Sequence, residues 1–239
     1  LKPFLVLALL SGLAVSSGWA ADAVLLSTAT TFERAVAHLK GRGALQDTPT
    51  ALDLFEKAGK QGDARAQVWI ASMHREPTRS SRRAALKWAR KAADQGHPAG
   101  QYLVGAYYLS AKPTQKNLAM ASEWMTRAAA QGQRDAMMAL ASMSAEGLGR
   151  EASAVDTYYW TKLAADAKLE YALYALRKMQ ALPDRDRTAA EARASSFKAV
   201  LERPELFKDS DLILPNVKPG RRPVPEPTSS PTPTVLDHE

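Results

Sequence analysis

The sequence predicts an all-α protein, a right-handed α-solenoid of stacked helix–turn–helix repeats. The stretch KWARKAADQG at residues 87–96 returns as EWMTRAAAQG at residues 123–132, 36 positions later. The glycines that end these two stretches, Gly96 and Gly132, follow an earlier Gly62 at intervals of 34 and 36 residues. A period of this length, with apolar residues at helical spacings inside it, indicates helix pairs that bury a continuous core by stacking.

The second helix of each repeat carries a large residue followed, four and five positions later, by two small ones. The large residues are Leu54, Trp88, Trp124 and Trp160. Small side chains on the same helix face let a neighbouring helix approach closely. Seven residues before each large residue stands a residue type that caps helix N-termini, and these residues are Asp47, Ser81, Asn117 and Ser153.

We therefore expect each second helix to begin at its capping residue, to run for about 13 residues and to end near the glycine. Lys168 replaces glycine at the end of the last repeat. That helix end is expected to be less tight than the others or differently shaped.

The first helix of each repeat follows the glycine. A small residue four positions past it and an apolar residue four positions further on lie on one buried helix face. The small residues are Ala66, Gly100, Ala136 and Ala172, and the apolar ones are Ile70, Val104, Leu140 and Leu176. Thr31 to Lys40 is interpreted as the first helix of an incomplete opening unit. Asp186 is expected to start a fifth second helix, in which Arg193 replaces the large apolar residue, as suits a capping helix with an outer face in water.

Composition and charge exclude several classes of function. The chain of 239 residues has a formal net charge of +7, but its basic residues are scattered among 25 acidic ones, which argues against a nucleic-acid partner. It has no cysteine, so it has neither a disulfide framework nor a thiolate metal site.

The N-terminus is typical of a secretory signal. Lys2 precedes the apolar run PFLVLALLSGLAV, and the small residues of SSGWA follow. We expect residues 1–20 to be a signal peptide cleaved after Ala20, no stable membrane span after cleavage, and a periplasmic or secreted protein. An uncleaved anchor is the alternative interpretation.

Motifs that carry chemistry are missing from the sequence. The four histidines, His38, His74, His97 and His238, stand at no metal-ligand spacing, and there is neither a G-x-S-x-G elbow nor a phosphate-binding glycine loop. The pairs Gly41-x-Gly43 and Gly147-x-Gly149 are interpreted as turn glycines of the repeat. We expect no catalytic residue, no metal and no cofactor, and hence no enzyme.

The repeat resembles Sel1-like repeats, which are relatives of tetratricopeptide repeats, over about residues 30–202. The matching residues are Gly100, Val104, Gly105 and Tyr108 in a first helix and Asn117, Ala121, Trp124, Ala128, Ala129 and Gly132 in a second. The loops His74–Arg83 and Ala111–Asn117 depart from the family's G-x-G turn and carry proline and positive charge; a basic edge or a divergent exposed turn would explain them.

The resemblance implies a concave groove lined by the first helices, which suits a protein or peptide partner. The candidate groove residues are Gln67, Gln101, Tyr102, Tyr108, Met137, Met138, Tyr171 and Tyr174. Packing against the next repeat is the alternative for several of them, above all for Met137. The cluster Tyr158–Trp160 is interpreted as core.

The predicted organisation is a signal peptide (1–20), a solenoid with a C-terminal capping helix (21–202) and a Pro-rich disordered tail (203–239). The predicted function is a non-enzymatic scaffold or adaptor that binds another envelope protein or peptide and regulates or assembles an envelope process. One alternative is an envelope hydrolase or cell-wall-binding enzyme, like the β-lactamase-like relatives of the family. Another is a structural subunit whose tail does the binding.

Overall fold

The structure, a computed structural model, describes residues 30–41, 44–73, 79–110, 115–179 and 182–199. These residues form ten α-helices and no strand. The helices are α1 (Thr31–Lys40), α2 (Thr48–Lys60), α3 (Ala64–Met73), α4 (Arg79–Asp94), α5 (Pro98–Ser110), α6 (Gln115–Ala130), α7 (Arg134–Glu146), α8 (Ala154–Asp166), α9 (Glu170–Lys178) and α10 (Asp184–Ser195). The predicted signal peptide and Pro-rich tail lie outside the described residues.

The helices pack as successive antiparallel pairs. α1 packs on α2, α3 on α4, α5 on α6 and α7 on α8, and each second helix also packs against the first helix of the next pair. This order of contacts is that of a helical solenoid, so the predicted fold class is confirmed.

The predicted N-caps are confirmed in two repeats and wrong in two. The Thr50 amide donates to Asp47 Oδ1 at 3.1 Å, and the Asp156 amide donates to Ser153 Oγ at 3.1 Å. Ser81 and Asn117 instead lie inside helices that begin two residues earlier.

The predicted start of the last helix is wrong as well. α10 begins at Asp184, two residues before Asp186, and Pro183 precedes it without a side-chain cap. Proline is tolerated next to the first turn of a helix but not in its interior, so a helix preceded by proline can start directly after it. Pro77 and Pro113 stand two positions before α4 and α6 in the sequence, so neither proline falls in a helix interior.

The expectation about Lys168 is wrong. Lys168 adopts the left-handed conformation, with a φ of 61°, as Gly132 does with a φ of 90°. The Lys168 amide donates to the Ala165 carbonyl at 2.9 Å, and the Gly132 amide donates to the Ala129 carbonyl at 2.9 Å. The four second helices that precede a first helix therefore end in the same left-handed turn, even where the residue is poorly suited to it.

Small residues bring the helices together, as the repeat pattern predicts. Ala66, Ala136 and Ala172 are fully buried. Gly100, at the equivalent position, lies so close to α4 that an added Cβ would be 2.8 Å from Ala92 Cβ and from the Ala93 nitrogen. The core is thus a row of close backbone contacts, with aromatic side chains filling the wider gaps.

The last pair of helices is irregular. α10 packs mainly on α8, the second helix of the preceding pair, rather than on its own partner α9. Arg193 lies over the Tyr159 ring, with its Cζ 3.7 Å from the ring centroid, and its Nη1 donates to Asp156 Oδ1 at 2.7 Å. Leu173 is 43% exposed, whereas Gln67, Gln101 and Met137 at the same position of earlier repeats are buried.

Candidate functional site

Two of the candidate groove residues are not accessible to a partner. Gln67 is 3% exposed and Gln101 is 0% exposed, so the prediction that they line a groove is corrected. Each side chain points toward the C-terminal end of the second helix in the same repeat. It therefore lies one residue position away from the open face of its first helix. A one-position error on a helix turns a side chain by about 100°, which is enough to move it from a groove to the core.

These buried glutamines form a repeated hydrogen-bonded pair. Gln95 Nε2 donates to Gln67 Oε1 at 2.9 Å, and Gln131 Nε2 donates to Gln101 Oε1 at 2.7 Å. Gln67 also donates to the Gly59 carbonyl at 3.0 Å, and Gln131 donates to the Gly96 carbonyl at 3.2 Å. The pairs satisfy backbone carbonyls at the helix ends, so they fix how consecutive helices meet.

Four other candidates share one surface, which we name the first-helix wall. It consists of Tyr102 on α5, Met138 on α7, and Tyr171 and Tyr174 on α9. Tyr102 and Met138 are half-buried against the same core cluster, while Tyr171 is 51% and Tyr174 is 64% exposed. Large apolar side chains are therefore exposed on α9 and partly exposed on α5 and α7.

Tyr171 of α9 is influenced electrostatically by groups on α7 and α5. The pKa of Tyr171 is raised to about 12, with partial burial as the largest cause, followed by the nearby Asp135 and Tyr102. Because its pKa lies far above 7, the phenol of Tyr171 is neutral at neutral pH. The side chain is also accessible, since it is half-exposed.

The two remaining groove candidates lie elsewhere. Met137 is 2% exposed and belongs to the core, as the alternative interpretation held. Tyr108 is half-buried, and its hydroxyl accepts a hydrogen bond from Arg90 Nη2 of α4. Tyr108 thus belongs to the surface around α4 rather than to the first-helix wall.

The aromatic cluster of α8 is core, as predicted. Tyr158, Tyr159 and Trp160 are each 5–7% exposed. The Tyr158 hydroxyl donates to Glu191 Oε1 at 2.6 Å, and burial followed by this hydrogen bond raises the pKa of Tyr158 to about 12. The cluster therefore anchors α10 to α8.

A buried histidine that the sequence analysis left without a role caps a first helix. His97 is 1% exposed, and its Nδ1 accepts from the Ala99 amide at 3.2 Å. Burial lowers the pKa of His97 to about 4, so the imidazole is neutral at pH 7. Gln133 has the same role one repeat later, accepting from the Ala136 amide at 2.9 Å, which is the signal that identifies His97 as a structural cap.

Two further observations concern membrane-spanning helices and metal-binding groups. Within residues 30–41, 44–73, 79–110, 115–179 and 182–199, no helix is long and apolar enough to cross a membrane. Across the same ranges, no three His, Asp or Glu side chains come together in a group that could hold a metal ion.

The fold and the glycine-ended helix pairs define an α-solenoid repeat protein. A family model described as the Sel1 repeat matches four consecutive segments, residues 31–63, 64–97, 98–133 and 134–169. These segments cover more than half of the chain, which therefore belongs to the Sel1 repeat family. Thr31 to Lys40, interpreted as the first helix of an incomplete opening unit, belongs to residues 31–63, which are matched as a repeat of their own.

Solved structures share the fold. A protective antigen of uropathogenic Escherichia coli that displays an SLR fold aligns with a TM-score of 0.63 and 24% identity, over 80% of this chain and 42% of the antigen. A Sel1 repeat protein from Oxalobacter formigenes aligns with a TM-score of 0.57 and 23% identity, over 67% of this chain and 68% of the other. This chain thus spans less than half the length of the antigen. No curated protein matches the chain.

Proteins of the Sel1 repeat family share a general class of activity. Sel1 repeat proteins are generally scaffolds for protein–protein interaction, typically without enzymatic activity, and their repeats indicate protein partners.

Proposed function

We propose that this protein is a non-enzymatic scaffold of the bacterial cell envelope that binds another protein or a peptide on the first-helix wall. The observation that carries the proposal is the wall itself, where Tyr171 and Tyr174 are exposed and Tyr102 and Met138, on the two preceding first helices, are partly exposed. Binding there regulates or assembles an envelope process.

The wall has the chemistry of a protein-binding surface. Tyrosine offers a large rigid contact area with a polar tip, and methionine adapts to irregular shapes. Burying a tyrosine side chain that is half-exposed in the free protein removes apolar area worth about 1–2 kcal/mol. Tyr171 and Tyr174 together therefore supply enough apolar area to act as binding hot spots.

The envelope location rests on the N-terminal sequence. The basic residue, apolar run and small residues of segment 1–20 are those of an export signal, and the absence of cysteine suits an oxidising compartment, where no stray thiol can cross-link. Cell fractionation, with N-terminal sequencing of the exported form, tests this part: the mature chain should begin at Ala21.

Site-specific photocrosslinking tests the binding surface. A photocrosslinking amino acid is placed at Met138, on the wall, or at Glu123, which is exposed on the second helix α6. We expect a discrete protein adduct in cells from position 138 only, and its loss when Tyr174→Ala is added. Equal adducts from both positions, or none from position 138, would show that the wall is not the binding surface.

A further inference from the structure

We propose that α4 carries a second docking site, which binds a short acidic segment of a protein partner. The site is the cationic stripe formed by Arg83, Lys87, Arg90 and Lys91. At spacings of four, seven and eight residues from Arg83, these side chains lie on one helix face over about 12 Å, and all four are exposed. This proposal goes beyond the proposed function, because the stripe lies on a second helix and not on the first-helix wall.

The positive charge is concentrated in this one helix. α4 contains six basic residues and one acidic residue, Asp94, a formal charge of +5. The equivalent second helices are close to neutral, with formal charges of 0 for α2, +1 for α6 and −1 for α8. In α2 and α8, ion pairs four residues apart join Lys60 to Glu56 and Lys162 to Asp166.

No acid of the packed neighbours compensates the stripe. α4 packs against α3 and α5; α3 contains Arg65 as its only charged residue, and α5 contains none. Within the described part of the chain, none of the four stripe residues forms an ion pair, and Asp94 of the same helix pairs with none of them.

The arrangement is unfavourable for the isolated helix. Arg83 and Lys87, and again Lys87 and Lys91, are like charges four residues apart, a spacing that destabilises a helix. The first turn of α4 has no acidic residue to complement the helix dipole. The stripe lowers the stability of the free protein, and an external anion that binds to it would offset the repulsion between its charges.

Two of the cations are held in place by aromatic rings. Lys91 Nζ lies 4.6 Å from the centroid of the Trp88 ring. Arg90 donates to the Tyr108 hydroxyl, and its Cζ is 5.9 Å from the centroid of that ring. Side chains ordered before binding lose less conformational entropy on binding, which favours a specific contact over a diffuse one.

The dimensions of the stripe select the class of partner. Four cations over about 12 Å are fewer than the 6–10 phosphate contacts typical of a duplex-binding protein. The neighbouring second helices are close to neutral, with acids such as Asp53, Glu56 and Glu123 among their bases, so they do not extend the positive surface that a long polyanion or an anionic membrane would need. In an extended peptide alternate residues are about 6.6 Å apart, close to the 6 Å between helix positions four apart, so acids at alternate positions match Arg83, Lys87 and Lys91.

The test uses fluorescence anisotropy with the purified protein. The probe is a labelled 12-residue peptide of alternating Glu and Ser, and the matched peptide has Gln in place of Glu. We expect saturable binding of the Glu peptide alone in 50 mM NaCl, and weaker binding in 300 mM NaCl because salt screens exposed charges.

One charge reversal distinguishes the stripe from a solvated surface. Lys87→Glu should weaken binding of the Glu peptide about fivefold, the factor for losing one exposed charge contact. The same substitution places opposite charges four residues from Arg83 and Lys91, so its thermal midpoint should not fall. The control Lys57→Glu makes the same change of net charge on the exposed face of α2 and should leave the affinity within twofold.

Three results would overturn the proposal: no binding of the Glu peptide up to 1 mM, equal losses for Lys87→Glu and Lys57→Glu, or tighter binding of a 12-nucleotide single-stranded DNA or of vesicles containing anionic lipid. The double variant Tyr102→Ala, Tyr174→Ala should still bind the Glu peptide. The proposal for the stripe can therefore be wrong while the proposal for the first-helix wall is right, and the reverse also holds.

Discussion

Gln131 reaches back 30 positions in the sequence to donate a hydrogen bond of 2.7 Å to Gln101, and both side chains are buried. Gln95 and Gln67 make the same contact one repeat earlier. The next repeat places Met137 and Ala167 at the two positions, so the chain itself contains an apolar version of the pair.

That apolar version provides a double-mutant cycle. Gln101→Met alone should reduce the free energy of unfolding by about 1–3 kcal/mol, because it removes one hydrogen-bond partner of a buried Gln131. Adding Gln131→Ala should recover part of the loss, since it removes the unpaired amide of Gln131, although the Gly96 carbonyl then loses its hydrogen bond from that amide. Urea denaturation of the four proteins measures the coupling; strictly additive losses would mean that the pair contributes no specific interaction.

Replacing Lys168 by glycine should stabilise the protein. Lys168 has a φ of 61° and forms the same turn bonds as the glycines, and a left-handed conformation costs a non-glycine residue about 1 kcal/mol. Lys168→Gly should therefore raise the urea midpoint, while the control Gly132→Ala should lower it by a similar amount. A lower midpoint for Lys168→Gly would show that the lysine side chain stabilises this turn more than its backbone strain costs.

Acid should destabilise the protein through His97. Its pKa of about 4 in the folded state lies below the value of about 6.5 in the unfolded chain, so the unfolded state binds the proton first. The neutral, capping form is favourable at pH 7, and its contribution is lost as the pH falls from about 6.5 to about 4, by about 3 kcal/mol in total.

The matched variant is His97→Gln, because Gln133 caps the next first helix. Urea denaturation at pH 7, 5.5 and 4.5 should show a smaller loss of stability for this variant than for the wild type. Identical pH dependence of the two proteins would assign the acid sensitivity to other groups.

Gly149 should tolerate substitution less than Gly62. Both have positive φ, 66° and 102°, but a Cβ at Gly149 would lie 2.1 Å from the Leu118 carbonyl oxygen, whereas Gly62 has nothing within 4 Å. Gly62→Ala should cost about 1 kcal/mol of backbone strain. Gly149→Ala must also displace the backbone of α6 and should cost about 3 kcal/mol or more. Equal losses in thermal unfolding would contradict the close contact between this turn and α6.

Sequence periodicity was sufficient for the fold because each repeat makes the same contacts. The spacing of the large and small residues predicted the helix pairs, and Asp47 and Ser153 were correctly identified as caps. Ser81 and Asn117 failed because two alternative starts lay within one helical turn, and the sequence spacing does not distinguish them.

The candidate site was harder to predict because it depends on side-chain direction. Gln101 and Tyr102 are neighbours in the sequence, yet the first is buried and the second is half-buried, as the packing of α5 between α4 and α6 determines. Leu173 is exposed at the position where Gln67, Gln101 and Met137 are buried, in the pair where α10 lies on α8 instead of α9. No repeat pattern indicated that departure, because it occurs where the pattern ends.

The first-helix wall crosses three first helices: Tyr102 and Met138 lie in the matched repeats 98–133 and 134–169, and Tyr174 lies on α9, beyond the last matched repeat. In a solenoid each repeat is held mainly by its neighbours, so the end repeat can open without the others. A partner seated across all three residues makes contacts that opening of any one repeat would break. With the partner bound to the first-helix wall, the C-terminal repeats would then unfold in a single transition. Local opening of α9 would become a step in the release of the partner.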